Sequence, residues 1–249
     1  MHKAIKMIIS IFLFLFLWQL ISFLSHSLFL PGPIEIIYLC FKLIITGEIF
    51  EHIFLSVKRV VFGFLCGLII GFVVGVIVGL SKLGDYINPI LELFRPIPPI
   101  AWIPLAILWF GIGDSSSVFI IFIAAFFPVF TNTFFGVKSL PKIYSCVSKN
   151  LSLTKMQRFY HVILPFVLPY TFVGSRVSLG LSWMVVIAAE MISANFGLGY
   201  LIEVNRSLMN TDLVIATMLF IGLVGFLLSK ILSLIEKKVI YWRSVSHAW

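Results

Sequence analysis

The sequence predicts an all-α membrane protein, and three observations carry the prediction. Of 249 residues, 61% are hydrophobic and 11% charged, with a mean hydropathy of +1.13; that leaves too little polar surface to coat a soluble globule of this size. Apolar runs approaching the roughly 20 residues of a spanning helix recur along the chain. The cations gather in a few short segments, as in loops on the cytoplasmic side of a membrane.

The candidate spans are residues 8–24, 60–80, 97–110, 118–135, 162–192 and 213–235. The third is short, opens with Pro98 and Pro99 and is interrupted by Pro104, so a full crossing, a broken helix and a re-entrant segment all remain open there. Lys3 and Lys6 place the amino terminus inside. Six crossings return the carboxyl terminus to that side, where Lys237, Lys238 and Arg243 lie, and the third internal segment holds Lys138, Lys142, Lys149, Lys155 and Arg158. Both termini are therefore expected in the cytoplasm. Glu203 and Asp212, with Arg206, fall outside; Lys58 and Arg59 fit this scheme less well. The chain reads as one domain, with residues 1–55 an N-terminal span and linker and residues 56–243 the core. In the second span Gly63, Gly67, Gly71, Gly75 and Gly79 recur every fourth residue. Such a stripe lets another helix approach closely, either within this chain or in a second copy.

Composition also excludes functions. The net charge of +8 reads as topology and contact with lipid headgroups, since nucleic-acid binding needs a soluble basic face. The amino-terminal Lys pair before an apolar run resembles a secretory signal, but the run is long for one and lacks a small-x-small exit. Cys40, Cys66 and Cys146 are too scattered for a disulfide framework, and His2, His26, His52, His161 and His247 offer no metal-ligand set. No phosphate-binding G-x-x-x-x-G-K-[ST], G-x-S-x-G elbow or H-E-x-x-H helix occurs. Gly197-Leu198-Gly199 reads as a turn leaving the fifth span.

Residues 138–165 form the longest polar, lysine-rich segment between two spans. Tyr144, Val147 and Leu151 keep helical spacing, and so do Met156, Phe159, Tyr160 and Ile163, yet the step from Leu151 to Met156 turns the phase by roughly 140°. A break is required. Thr154 followed by Gln157 gives a capping-box pattern for a new helix, with Ser152 as a second local acceptor. Leu153 is expected at an exposed bend, where an apolar tip calls for a covering partner. A helix–turn–helix lever and an interfacial helix pair held to anionic lipid fit this pattern equally.

Residues Arg95-Pro96-Ile97-Pro98-Pro99-Ile100-Ala101-Trp102-Ile103-Pro104 and Trp109-Phe110-Gly111-Ile112-Gly113 resemble the permease subunits of bacterial ABC importers of the nitrate/sulfonate/taurine type. Val162-Ile163-Leu164-Pro165, Gly174-Ser175-Arg176, Ala189-Glu190-Met191-Ile192 and Gly197-Leu198-Gly199-Tyr200-Leu201-Ile202 are similar to that family in order and spacing. The match covers about residues 30 to 243 and is nearest in pattern to the sulfonate type. The resemblance implies a type I importer transmembrane domain of about six helices in a bacterial inner membrane, two copies of a separate nucleotide-binding ATPase, a second permease copy and an extracytoplasmic solute-binding protein. ATP and Mg would be bound by the ATPase, with no cofactor and no catalysis in this chain. It also implies a cytoplasmic coupling helix with a Glu-Ala-Ala…Gly…Leu-Pro signature. Here Leu164 and Pro165 match, but Cys146, Val147 and Ser148 occupy the Glu-Ala-Ala positions and Ser152 the Gly. The ATPase-coupling set is then Ser148, Leu151, Ser152, Leu153, Thr154, Lys155, Gln157, Arg158, Leu164 and Pro165. Serine can still cap a helix there.

Charges inside a span usually face the bundle interior and mark function. Arg176 lies about 16 Å along a helix from Pro165, and Glu190 about 21 Å beyond Arg176 on the same face, too far to pair within that helix. Arg176 is expected either to attract an anion on the translocation pathway or to tie to carbonyls of a neighbouring span. Glu190 is expected to be structural or gating, and Ser178, Ser182 and Trp183 to line the same face. The expected solute is a small anion of the sulfonate, taurine or nitrate kind, with a pyrimidine- or thiamine-precursor as alternative. A stand-alone secondary transporter would use Arg176 and Glu190 as its charged pair, but no inverted repeat is evident. A membrane hydrolase using Ser182 would lack a nearby histidine base.

Overall fold

A computed structural model describes residues 2–25, 30–82 and 84–241, with side chains for all of these except residues 2–8, 11, 25, 145 and 149. Arg243, His26 and His247, and the side chains of His2, Lys3, Lys6 and Lys149, lie outside the described residues.

The chain folds into helices α1 (His2–Ser25), α2 (Pro33–Thr46), α3 (Glu48–Leu80), α4 (Gly84–Phe94), α5 (Ile103–Phe110), α6 (Asp114–Lys138), α7 (Lys142–Asn150), α8 (Lys155–Arg158), α9 (Leu164–Ser193), α10 (Leu198–Ser207) and α11 (Thr211–Val239), with no strand among the described residues. Four segments are long and apolar enough to cross a membrane: α3, α6, the run Lys155–Ser193 ending in α9, and α11. They contain the second, fourth, fifth and sixth expected spans.

The third expected span is different. It is one arm of a bent pair, α4 followed by Pro99–Phe110, bent by 82° at the break between them; counted as one span, the pair is a fifth crossing. Pro96, Pro98 and Pro99 lie in or beside the corner; they cannot donate to a helical ladder, so no straight helix can continue. α1 runs for 24 residues and holds the first expected span, of which Phe12–Leu24 is the apolar part among the residues with described side chains; six crossings are not counted among the described residues.

The core is a layered contact of α3, α6 and α9, with α10 and α11 closing it. The stripe glycines face α6. A Cβ on Gly63 would lie 2.7 Å from the Ile121 Cβ, on Gly67 2.5 Å from Ala125, on Gly75 2.8 Å from Thr133 and on Gly79 2.8 Å from Val137, while at Gly71 it would lie 2.9 Å from the Phe126 carbonyl. Positions 121, 125, 129, 133 and 137 of α6 thus step in register with the glycines. The seam lies within one chain, and its close fit supplies dispersion contact where lipid removes any hydrophobic drive. Between α6 and α9 the hydroxyls of Thr133 and Thr171 meet at 3.0 Å, and Gly174 lets α9 sit against the Pro128 carbonyl.

Two ends of the bundle can be told apart. At one, α3 finishes, α4 begins and α6 ends, joined by the ion pair of Asp85 with Lys138 at 2.9 Å; α7 and α8 follow there. At the other lie the starts of α3 and α6, the end of α9 and all of α10.

Candidate functional site

The elbow between α6 and α9 is built from local hydrogen bonds. At the end of α7 the Leu151 N–H donates to the Val147 carbonyl (3.0 Å) and the Leu153 N–H reaches back to the Ser148 carbonyl (3.1 Å). This is a Schellman closure, and it requires a left-handed residue between them. Ser152 is that residue, at φ +50°. It carries a Cβ into a region where an L-residue is disfavoured by roughly 1–2 kcal/mol. Ser152→Gly is therefore expected to stabilise the fold by about 0.5–1 kcal/mol after the extra flexibility of the unfolded chain is counted. A rise in the thermal midpoint in detergent checks this; an unchanged or lower midpoint would mean that the Ser152 side chain holds the turn.

Thr154 then caps α8. Its Oγ1 accepts from the Gln157 N–H (3.3 Å) and its own N–H donates to Gln157 Oε1 (2.9 Å), the reciprocal pattern read from the sequence. Phe159–Ile163 forms a π turn in which the Leu164 N–H bonds to the Phe159 carbonyl. The widening falls just before Pro165, whose ring would otherwise crowd the carbonyl four residues back. From that turn α9 runs unbroken to Ser193.

The elbow presents apolar side chains to the outside: Ile143, Tyr144, Val147, Leu151, Met156 and Tyr160 are all exposed, Leu151 to 66%. Leu153 is half-buried. The exposed tip is Leu151, because the Schellman turn folds Leu153 back toward α7. Ser148 is buried; Ser152, Lys155 and Gln157 are exposed; Arg158, Leu164 and Pro165 are partly buried.

At the other end, Arg59 of α3 joins three elements. Its guanidinium donates to Glu190 Oε1 (2.7 Å), to Asp114 Oδ1 (2.8 Å) and to the Phe196 carbonyl (2.7 Å). Glu190 is fully buried at the end of α9 and also accepts from Ser56 Oγ (2.8 Å) and the Gly199 N–H (3.0 Å). Ser56 Oγ accepts from the Leu198 N–H, and His52 Nδ1 lies 3.1 Å from both the amide nitrogen and the carbonyl oxygen of Gly197. Gly197-Leu198-Gly199 is thus the turn leaving α9, and it also wraps the Glu190 carboxylate. A Cβ on Gly197, at φ +131°, would overlap that carboxyl group. Sequence reasoning missed Ser56, Arg59 and Asp114. The signal was the poor fit of Arg59 to a loop charge: it is a buried counter-ion.

Arg176 has a partner 60 residues away. Its Nε donates to Glu236 Oε2 on α11 at 2.7 Å, and its Nη2 pairs with Glu236 Oε1. Its charge is compensated by a carboxylate and not by carbonyls, as the sequence left open. Ser178, Ser182 and Trp183 are buried inside the chain's own bundle: Ser178 donates to the Ser175 carbonyl and Trp183 to the Ile221 carbonyl (3.1 Å). Of the five residues expected to line a pathway, Arg176 alone has an exposed side chain, at 55%. Among the described residues no group of three His, Cys, Asp or Glu is placed to hold a metal ion.

Residues 63–241 match the family described as binding-protein-dependent transport system inner membrane component. The chain belongs to that family. As a member of it, the chain is a multi-pass membrane permease component of a transport system. It is similar to a putative ABC transporter permease protein of Methanocaldococcus jannaschii, at 38% identity over 92% of this chain and 88% of the relative. It is 37% identical to a putative aliphatic sulfonates transport permease protein of Escherichia coli K12 (92% and 89%). A nitrate import permease protein of Synechocystis is 33% identical (96% and 90%). The permease fold also matches an inward-facing structure of the MetNI methionine ABC transporter, with a TM-score of 0.54 at 21% identity, covering 73% of this chain and 94% of that one.

Proposed function

We propose that this permease is the membrane subunit of an ATP-driven importer, that its elbow lies in the cytoplasm and that it docks there into a groove of a separately encoded ATPase. The observation that carries the reading is the elbow itself: an apolar tip at Leu151 and Met156, fixed by a Schellman turn and a capping box, standing exposed among lysines. A short, pre-shaped apolar projection of this kind fits a partner's pocket, where each such side chain contributes about 1.5–3 kcal/mol on burial.

Charge supports the orientation. The elbow end carries Lys82, Lys138, Lys142, Lys155, Arg158, Lys237 and Lys238 against Asp85 and Glu236, and the opposite end Glu48, Glu51, Asp114, Glu203 and Asp212 against Lys58 and Arg206. Lysine-rich loops stay inside, and Arg59, buried against Glu190 and Asp114, drops out of the count. We place the pathway against the exposed face of α9 that carries Val173, Arg176, Val177 and Met184, in a complex with a second copy of the chain, two ATPases and an extracytoplasmic solute-binding protein. The names of the sulfonate and nitrate relatives support a small anion as the solute.

Swapping residues 151–158 for a Gly/Ser linker is expected to abolish co-purification with the ATPase, and Leu151→Asp to weaken it at least tenfold. ATPase retained by the linker variant would mean that another surface couples the two. Solute uptake by the chain alone, without ATP, would favour a secondary transporter instead.

A further inference from the structure

The geometry points to Arg95, at the corner between α4 and α5, as the cation that meets the transported solute inside the membrane. The inference rests on the importer reading and sharpens it, by naming the residue and the ligand chemistry: a small solute with one compact, strongly acidic anionic group such as a sulfonate.

Depth comes first. Ile87 and Leu91 of α4 pack against Val78, Phe130 and Phe134, whereas Ile103 and Ala106 of α5 pack with Ile120 and Ala124. The corner therefore lies between the levels of Phe130 and Ala124, beside Phe126, the midpoint of α6 (Asp114–Lys138). Pro99–Trp102 also touches α9, the helix on whose exposed face the pathway is placed. Broken helices at mid-membrane are where transporters expose polar groups to cargo.

Availability comes second. The ion pairs among the described residues engage Arg59, Lys138, Arg176 and Arg206 and leave Arg95 out. Arg95 is exposed, as are Glu92 and Phe94 beside it. A cation standing at mid-membrane without a counter-ion is costly. The other unpaired cations within the crossings have an exit: Lys58 stands beside Arg59, level with the start of α6, and Lys230 lies nine residues from the end of α11, within reach of the boundary along its stem.

Donor chemistry comes third. Pro96, Pro98 and Pro99 have no N–H, the Ile97 N–H donates to the Phe94 carbonyl and the Ala101 N–H to the Pro98 carbonyl. The corner thus has little backbone to offer an anion. The guanidinium fork supplies the donors, in a planar array that matches sulfonate or nitrate oxygens two at a time. The Glu92 carboxylate opposes an anion, but it accepts from Asn88 Nδ2 at 3.0 Å, one turn back toward the elbow.

The test uses the complete transporter in proteoliposomes, with ethanesulfonate and nitrate as probes at concentrations below half-saturation. Arg95→Gln is expected to cut uptake of the transported probe at least tenfold while ATPase co-purification and the thermal midpoint stay unchanged. Arg95→Lys, which keeps the charge and loses the fork, is expected to cut it two- to fivefold. Uptake by the Gln variant within twofold of wild type would overturn the assignment. Loss of the two-copy complex in both variants would overturn it too, making Arg95 an assembly residue. If the assembled wild type takes up neither probe, the anion class falls and the assignment with it. Failure of the ATPase to co-purify with wild type would instead sink the importer reading.

Discussion

Arg59→Met is expected to destabilise the protein by about 3–5 kcal/mol, because it strands the fully buried Glu190 without its counter-ion. The remaining donors, Ser56 Oγ and the Gly199 N–H, are neutral and cannot balance a full charge in a dry site. In a chain of this length that loss lowers the thermal midpoint by on the order of 10 °C. The double variant Arg59→Met/Glu190→Leu provides the internal check. Replacing a buried ion pair by apolar groups of similar size is often close to neutral, so the double variant is expected to recover at least half of the loss, leaving the cost of the stranded Ser56 and Gly199 donors. A double variant as unstable as the single would mean that Arg59 acts by packing and not by charge. Asp114→Asn is expected to be mild by comparison: Asp114 is 55% exposed, so water screens that half of the arrangement.

Gly67→Leu is expected to be as damaging by a different route. Even a Cβ at position 67 would lie 2.5 Å from the Ala125 Cβ and 2.9 Å from the Phe122 carbonyl, and the second of these atoms is backbone that cannot step aside. A full leucine must push α3 off α6, and the loss extends along all five layers of the seam. Overpacking of a single site typically costs 1–3 kcal/mol, so at least 3 kcal/mol is expected where two helices must part, read as a fall in the thermal midpoint and in the monodisperse fraction in detergent. Gly222→Leu on α11 is the control. Nothing lies within 4 Å of a Cβ there, and that variant is expected to be within about 0.5 kcal/mol of wild type. Equal damage at both positions would show that the seam has no special role.

Much of this architecture was legible before any coordinates. Four crossings follow from long apolar runs, and the elbow from the phase slip between Leu151 and Met156 and from the Thr154–Gln157 pair. The stripe glycines announced a close helix contact but not its partner: whether α6 of the same chain or a second copy met them was open until Ile121, Ala125, Thr133 and Val137 were found against the glycines. The fourth helix was not legible, because Asp85, Asn88 and Glu92 interrupt its apolar content, and the adjoining prolines looked like the start of a span when they are the corner of one. Leu153 was mistaken for the exposed tip because the fold-back of a Schellman turn depends on a positive φ at Ser152, which a serine does not advertise. The pairs of Arg59 with Glu190 and of Arg176 with Glu236 span 131 and 60 residues. Each partner was visible as a charge, but one sequence carries no record of which charges meet.

The unbroken course of α9 has a further consequence. A 30-residue helix measures about 45 Å, and this one leads from the elbow to the carboxylate that Arg59 holds. No loop interrupts it, and Pro169, one turn in from Pro165, is the one interior place where the ladder lacks a donor; beyond that point a tilt imposed near the elbow is carried along the helix. Two ligands that prefer different tilts therefore oppose each other, and two that prefer the same tilt help each other by equal free energies in both directions. On the importer reading proposed above, ligands at the two ends of α9 would therefore be linked reciprocally.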